Sequence, residues 1–416
     1  MDTFETLYRK AIGAYVGQEG GELDETSFED YEEHHLDCLL HPDKHPPVIR
    51  LSECMCHDGD KEECLGTCFF DALTKDEKGN VTVDPDACVG CGECVSKCKA
   101  KNLAERRDIL PLLEMMHNAE APVFAMIAPA FIGQFSEEVT PGKLRTAFKK
   151  LGFAGMIEVA LFADILTLKE ALEFDRTIKD DKSFMLTSCC CPIWVAMIRK
   201  MYNQLVPHMP ASVSPMAACG RAIKKLYPNA KTVFIGPCVA KKAEAKEKDI
   251  KESVDFVLNF QEMRDVFEIA CIDLADCEED LRDHSSTGGR IYARTGGVSE
   301  AVQKTVERLM PGRAIPLKAV QADGAVACKK LLNDIRNGTI TANFIEGMGC
   351  VGGCVGGPKV IVDKEKGKDN VDRYGAEAAY DTPANNPYVM KLLRRLGFNT
   401  IESLLDMDEI FTREFS

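Results

Sequence analysis

The sequence predicts an α/β domain with mixed, largely parallel sheets behind a small cysteine-dense module, and three observations carry that expectation. Of 19 cysteines, those at 38, 54, 56, 64, 68, 88, 91, 94 and 98 come first and none follows until Cys189. This marks a compact cysteine unit ahead of a domain whose thiols are dispersed. From Val123 onward, short apolar runs alternate with helical segments, the pattern of strands joined by crossover helices, with ligand sites at the strand ends. A length of 416 residues with 45% hydrophobic content supports two to four units with a sizeable core.

The formal charge of −15 argues against a nucleic-acid partner, because tracking phosphates calls for a basic face. The opening Met1-Asp2-Thr3-Phe4-Glu5-Thr6 has neither the basic start nor the apolar core of a secretory signal. No stretch approaches the ~18 consecutive apolar residues of a membrane span. The expectation is a soluble, reducing, cytoplasmic setting without a membrane partner. There, dense cysteines read as metal ligands or catalytic thiols and not as disulfides.

Taken in order, residues 1–50 begin acidic and helical, then carry His34, His35, His41 and His45 around Cys38. No regular ligand spacing joins them, so no metal and no role is assigned. In residues 51–103, Cys88-Val89-Gly90-Cys91-Gly92-Glu93-Cys94-Val95-Ser96-Lys97-Cys98 reads C-x2-C-x2-C-x3-C. That spacing winds three thiolates around one iron–sulfur cube, whereas zinc ribbons favour two separated pairs. Upstream stand Cys54, Cys56, Cys64 and Cys68, followed by a hairpin-like stretch from Asp76 to Asp84. Residues 104–120, charged and rich in Leu and Met, read as a linking helix ended by Pro122.

In residues 121–375, strands are expected at Val123–Ala128, Gly155–Val159, Phe184–Thr187 and Thr232–Gly236, with helices at Lys143–Leu151 and Asp164–Phe174. The Lys- and Glu-dense run Lys241–Lys251 reads as a solvated helix face. Residues 376–416 read as a helical segment packed on the domain.

The cysteine module resembles a bacterial two-cluster ferredoxin domain of the α+β kind. Its first half departs from the pattern at Cys54-x-Cys56, and no proline follows the fourth cysteines. The ferredoxin crossover implies one four-iron cluster on Cys88, Cys91, Cys94 and Cys68, and another on Cys54, Cys56, Cys64 and Cys98. Together they would relay single electrons.

Three segments carry the larger domain's chemistry: Thr187-Ser188-Cys189-Cys190-Cys191-Pro192, Gly236-Pro237-Cys238-Val239-Ala240-Lys241, and Glu346-Gly347-Met348-Gly349-Cys350-Val351-Gly352-Gly353-Cys354. Each places cysteine where an apolar run gives way to glycine, proline or a helix start, where backbone amides stabilise anionic sulfur. In this order, behind such a module, they resemble the signature segments of the iron-only (di-iron) hydrogenases. Thr295-Gly296-Gly297-Val298 with Glu300-Ala301 resembles a further glycine-rich stretch of that family.

The resemblance implies two lobes with the active site between them, and an H-cluster: a four-iron cube joined to a di-iron unit carrying carbon monoxide, cyanide and a bridging dithiolate. Cys191, Cys238, Cys350 and Cys354 match the cube ligands, with Cys354 also the bridge. Cys190 matches the proton-passing thiol, and Glu170 and Glu173 the relay glutamates. Ala128, Pro129, Lys241 and Met348 match contacts of the di-iron unit. Cys189 is extra, with packing as its plain reading. Gly236 stands where common members carry methionine, Met216 where glutamine often lies, and Pro210 where a relay serine is expected. Cys219, Cys271, Cys277 and Cys328 match no ligand and are read as core.

The implied function is reversible reduction of protons to dihydrogen, with a ferredoxin-type one-electron carrier and hydrogenase maturation proteins as partners. Two alternatives are a hydrogen sensor of low activity and a hydrogenase-like iron–sulfur assembly factor without the di-iron unit. The second is disfavoured because Cys190, Lys241 and Met348 serve only a di-iron unit.

Overall fold

The computed structural model describes residues 3–17, 30–118 and 121–415. Helices α1 (Thr3–Val16) and α2 (Glu33–Leu40) lead into strand β1 (Val48–Arg50). The cysteine module contains α3 (Asp58–Gly66), the antiparallel hairpin β2 (Leu73–Lys75) and β3 (Val81–Val83), and α4 (Glu93–Lys97). It ends on β4 (Leu103–Glu105), which pairs antiparallel with β1. The strand pair thus straddles the expected limits at 51 and 103, and the linking helix shortens to α5 (Ile109–His117). Leu7 and Ile12 of α1 are fully buried in the same core cluster as α5, so the N-terminal segment packs into the main body.

The main body has two all-parallel sheets. The first uses β5 (Val123–Ile127), β6 (Gly155–Glu158), β8 (Lys231–Gly236) and β9 (Phe256–Asn259) in the order β6-β5-β8-β9. The second uses β7 (Met185–Leu186), β10 (Ala319–Asp323) and β11 (Phe344–Met348) in the order β10-β11-β7. The intervening helices are α6 (Pro141–Lys150), α7 (Ala160–Thr177), α8 (Pro192–Met201), α9 (Pro215–Leu226), α10 (Ala240–Glu244), α11 (Phe260–Ile269), α12 (Thr287–Arg290), α13 (Gly297–Leu309) and α14 (Ala325–Arg336). Helices α15 (Lys364–Ala376) and α16 (Pro387–Arg395) close the chain.

Local chemistry sets these elements. In α6, the Thr140 hydroxyl accepts from Lys143 N, Pro141 starts the helix, Lys149 and Lys150 fill the last turn, and Gly152 follows at φ 95°. All four favour the observed ends. Helix α11 starts on a reciprocal capping box between Asn259 and Glu262. Helix α7 is buried on almost every side from Ala160 to Phe174, because α9, α12, α13 and α16 pack around it. Burying Ile165, Leu166, Leu168 and Phe174 there stabilises by about 1.5–3 kcal/mol each.

The second sheet is covered on both faces. One side buries Trp194, Ile198, Cys328 and Leu332, and the other Phe174, Val298 and Val302. The first sheet builds from the middle outward, β5 to β6 on one side and β8 to β9 on the other. That reversal opens a crevice at the carboxyl ends of β5 and β8.

Two expectations fail. Residues 241–251 are no solvated face, since Lys241, Lys242 and Glu244 are buried and the helix ends at Glu244. Lys242 Nζ bonds the Arg106 carbonyl at 2.7 Å and Glu262 Oε2 at 3.1 Å, so its charge is neutralised inside. The Lys/Glu composition hid this because the partners lie far away in sequence. Cys271 is exposed, on a left-handed residue just past α11 with φ 53°, whereas Cys219, Cys277 and Cys328 are buried.

Candidate metal centre

Four strand ends converge on one cavity. Ala128 and Pro129 follow β5, Pro237 and Cys238 follow β8, Cys190 and Cys191 follow β7, and Cys350 and Cys354 follow β11. All of them line the same cavity. Lys241, Met216 and Met348 complete the wall.

The turn after β7 is strained at Ser188, a non-glycine residue at φ 66°. Trp194 Nε1 holds it from below by donating to the Thr187 carbonyl at 2.8 Å. Cys191 stands at the N-terminus of α8, before Pro192, and its sulfur accepts from Gly349 N at 3.2 Å. The N–H groups of Ala240 and Lys241 point at the Cys238 sulfur. Glycine is obligatory nearby: a Cβ on Gly353 would lie 2.8 Å from Met348 Sδ, and one on Gly349 2.5 Å from Ile193. At Gly236 the Phe234 ring lies 2.9 Å from where a Cβ would stand. Phe234 thus fills the space a larger residue would take.

Burial pushes the Cys238 thiol up to about 11 and the Cys354 thiol up to about 12. Crowding by Cys191 contributes to both shifts. Buried sulfurs raised by one another become thiolates only with bound cationic metal, so this donor set fits a metal cluster. Burial alone would lower the Lys241 ammonium, but Glu244, 2.5 Å away, and the neighbouring thiols hold it above its ordinary value. Lys241, ion-paired with Glu244, keeps further N–H groups with which to donate to an anionic ligand.

Glu170 and Glu173 are both buried on α7. Burial lifts the Glu170 carboxyl to about 7, although Thr187 Oγ1 donates to its Oε2 at 2.5 Å. Cys189 Sγ donates to Glu170 Oε1 at 3.5 Å, so the extra cysteine joins the carboxyl to the thiol turn. Pro210 has no hydroxyl with which to bridge. Glu173 Oε1 accepts from Lys169 Nζ at 2.8 Å, while its buried Oε2 is unpartnered among the described residues. Sequence reasoning missed Glu346. It is fully buried and accepts from Gly296 N, Ser299 N and Ser299 Oγ at 2.6–2.8 Å. This ties β11 to α13 and accounts for the glycine-rich stretch at Gly296-Gly297.

In the module, Cys64 feels the charges of Cys98, Cys56 and Cys54, and Cys94 those of Cys91, Cys88 and Cys68. Cys54, Cys56, Cys64 and Cys98 are thus near one another, as are Cys68, Cys88, Cys91 and Cys94. Backbone N–H groups reach the sulfurs of Cys54, Cys68 and Cys98 at 3.3–3.4 Å, as iron–sulfur ligands favour. Gly90, at φ 72°, lets the Cys88–Cys91 loop press on the Cys238 segment, since a Cβ would stand 3.1 Å from Ala240 Cα. Cys350 in turn feels the charge of Cys91. The second module set is therefore a neighbour of the cavity set.

Comparison with known proteins agrees with this geometry. Residues 121–358, more than half the chain, match the family described as iron only hydrogenase large subunit, C-terminal domain. Residues 81–101 match a 4Fe-4S binding domain. Iron hydrogenase 1 of Clostridium pasteurianum is 28% identical over 63% of this chain and 53% of that protein. The periplasmic [Fe] hydrogenase large subunit of Nitratidesulfovibrio vulgaris is 30% identical over 58% of this chain and 69% of that protein. The cytosolic Fe-S cluster assembly factor NAR1 of Yarrowia lipolytica is 25% identical over 43% of this chain and 40% of that protein. The chain thus spans about half the length of the first of these relatives. In fold, apo [FeFe]-hydrogenase HydA1 of Chlamydomonas reinhardtii superposes with a TM-score of 0.59 at 21% identity, covering 71% of this chain and 94% of that one. Among the described residues no helix is long and apolar enough to cross a membrane. With iron–sulfur ligand sets on the module and five thiols around one cavity, the chain belongs to the iron-only hydrogenase large-subunit family.

Proposed function

We propose that this protein is an active iron-only hydrogenase, interconverting protons and dihydrogen at an H-cluster. The observation that carries the reading is that Cys190, Lys241 and Met348 line the same cavity as Cys191, Cys238, Cys350 and Cys354. A cube alone would need only the four thiolates.

Cys191, Cys238, Cys350 and Cys354 would hold the cube, with Cys354 shared with the di-iron unit. When bound, the H-cluster supplies the bond making and breaking at hydrogen. The chain supplies the rest. Lys241 would donate to an anionic ligand of the unit, Ala128 and Pro129 would offer backbone beside another, and Met348 would pack against the unit and keep water out. Cys190 carries protons at the cavity wall. Cys189, Glu170 and Glu173 carry them along α7, and a carboxyl near 7 is half protonated at neutral pH, which suits a relay.

The set Cys68, Cys88, Cys91 and Cys94 would pass single electrons to the cavity, with the set Cys54, Cys56, Cys64 and Cys98 behind it. The donor would be a ferredoxin-type one-electron carrier, and maturation proteins would deliver the di-iron unit. The test is hydrogen evolution from a reduced one-electron donor by protein loaded with synthetic di-iron cofactor. Cys190→Ala should abolish it with cofactor content unchanged. No evolution by the loaded wild type would favour sensing. No uptake of the di-iron unit would favour an assembly role such as that in the name of the Yarrowia relative.

A further inference from the structure

We propose that Lys242 and Lys359 are paired positioning residues that hold the cysteine module at one fixed gap from the cavity, and so set how fast electrons pass between the two. The proposal rests on the reading above that the set Cys68, Cys88, Cys91 and Cys94 and the cavity set both carry clusters. Two short arms leave the cavity thiols. One runs from Cys238 into α10, and the other from Cys354 through Pro358 to Lys359. Lys359 N donates to the Pro237 carbonyl at 3.1 Å, and a Cβ on Gly357 would stand 3.0 Å from the same carbonyl oxygen. The arms are therefore packed together as one body.

The glycines on either side of Cys91 each meet one arm. Gly90 approaches Ala240 too closely to carry a side chain, and a Cβ on Gly92 would stand 3.4 Å from Pro358 Cβ. Each arm then supplies a lysine to the exit of the module. Lys242, four residues past Cys238, donates from Nζ to the Arg106 carbonyl at 2.7 Å. Lys359, five residues past Cys354, pairs its Nζ with Glu105 Oε2 at 2.7 Å. Glu105 closes β4 and Arg106 follows it. Adjacent residues thus take one cation from each arm, at the point where the module's chain passes on toward α5.

Both lysines are engaged inside the protein. Lys242 is fully buried, and the side chains of Lys359 and Glu105 are 12% and 9% exposed. Taking charges out of water carries a desolvation cost that their attraction only offsets, so such pairs add little net stability compared with apolar packing. What they add is direction, because each bond forms in one register only. Apolar contact would hold module and lobe together, and the two lysines fix where they stop. Single-electron transfer falls steeply as the gap between clusters widens, so a register fixed at Glu105 and Arg106 is also a fixed rate of transfer.

The test uses the full-length protein carrying its iron–sulfur clusters but no di-iron unit, reduced without oxygen and read by electron paramagnetic resonance. It therefore does not depend on hydrogen chemistry. Reduced clusters split and broaden each other's signals more strongly the closer they lie. The expected result is an interaction in the wild type that Cys350→Ser, without the cavity cube, lacks. Lys359→Met should weaken that interaction with iron content unchanged. Glu105→Gln, which keeps the shape and drops the charge, should weaken it too, and carries the test if Lys359→Met fails to fold. The reversed pair, Glu105→Lys with Lys359→Glu, should restore it. An interaction of wild-type strength in Glu105→Gln would overturn the proposal. Weakening only in step with lost iron would also overturn it, by marking the pair as a support of the fold alone. A wild type without a cavity cube would overturn the cluster reading, and the proposal with it.

Discussion

In the module, Cys88, Cys91 and Cys94 reach their cluster position within one loop and the first turn of α4. In the lobe, Cys191, Cys238 and Cys350 arrive on the ends of three strands drawn from two sheets. In the module, Ala72 N holds Cys68 and Asn102 N holds Cys98 from four residues on, while Val81 N reaches Cys54 across 27 positions. In the lobe, Cys238 takes the nearby N–H groups of Ala240 and Lys241, but Gly349 N reaches Cys191 across 158 positions. Local ligand sets are separable, and non-local ones are not. A module cluster can be removed with local consequences, whereas the cavity set stands or falls with the packing of both sheets.

The largest effect that sharpens this contrast is expected from paired serine replacements. Cys350→Ser should abolish hydrogen evolution with any donor. Cys98→Ser should remove one four-iron signal, leave evolution from a small-molecule reductant within a few-fold of wild type, and slow only the reaction with a protein carrier. Quantified electron paramagnetic resonance beside both assays checks this.

Next in size, Glu170→Gln should lower turnover by about 10²–10⁴-fold with cofactor content unchanged. It also carries a stability signature. Burial lifts the folded carboxyl to about 7 from its ordinary 4.5. Between these values the folded chain binds a proton the unfolded chain has lost, so stability falls as pH rises through that window, by about 1.4 kcal/mol per pH unit. Glu170→Gln should flatten the slope of denaturant midpoints measured across it.

Lys242→Met breaks the joint between the two regions. It would leave Glu262 buried without its cation and remove one of the two cations that offset the desolvation of Asp108, with Arg106 as the other. The expected loss is about 3–5 kcal/mol, read as a lower denaturant midpoint. The smallest effect is at the rim: Arg9→Ala removes half-exposed pairs to Asp265 and Glu268 and should cost under about 1 kcal/mol.

Three strands of the first sheet are readable in the sequence as mainly apolar runs, while β9 (Phe256–Asn259) escapes it. Val123–Ala128, Gly155–Val159 and Thr232–Gly236 fall on β5, β6 and β8 within about one residue, and Asp164–Phe174 lies inside α7. The thiol groupings were readable where spacing is local, as in Cys88 to Cys98. What escaped is non-local. Lys242 looks like any surface lysine until Glu262 and the Arg106 carbonyl come to it through folding. Glu346 looks like part of a glycine-rich motif until its carboxylate meets Gly296 and Ser299. Cys271 was read as core because cysteine usually is, while a left-handed residue past a helix end exposes it.

The account rests most directly on the cavity accepting a di-iron unit beside a cube. Infrared spectroscopy of the anaerobic protein, loaded with synthetic di-iron cofactor and freed of excess, measures this. The account predicts sharp carbonyl and cyanide bands that Lys241→Ala displaces, together with hydrogen evolved on reduction. A protein with its cubes intact that shows no such bands would contradict it.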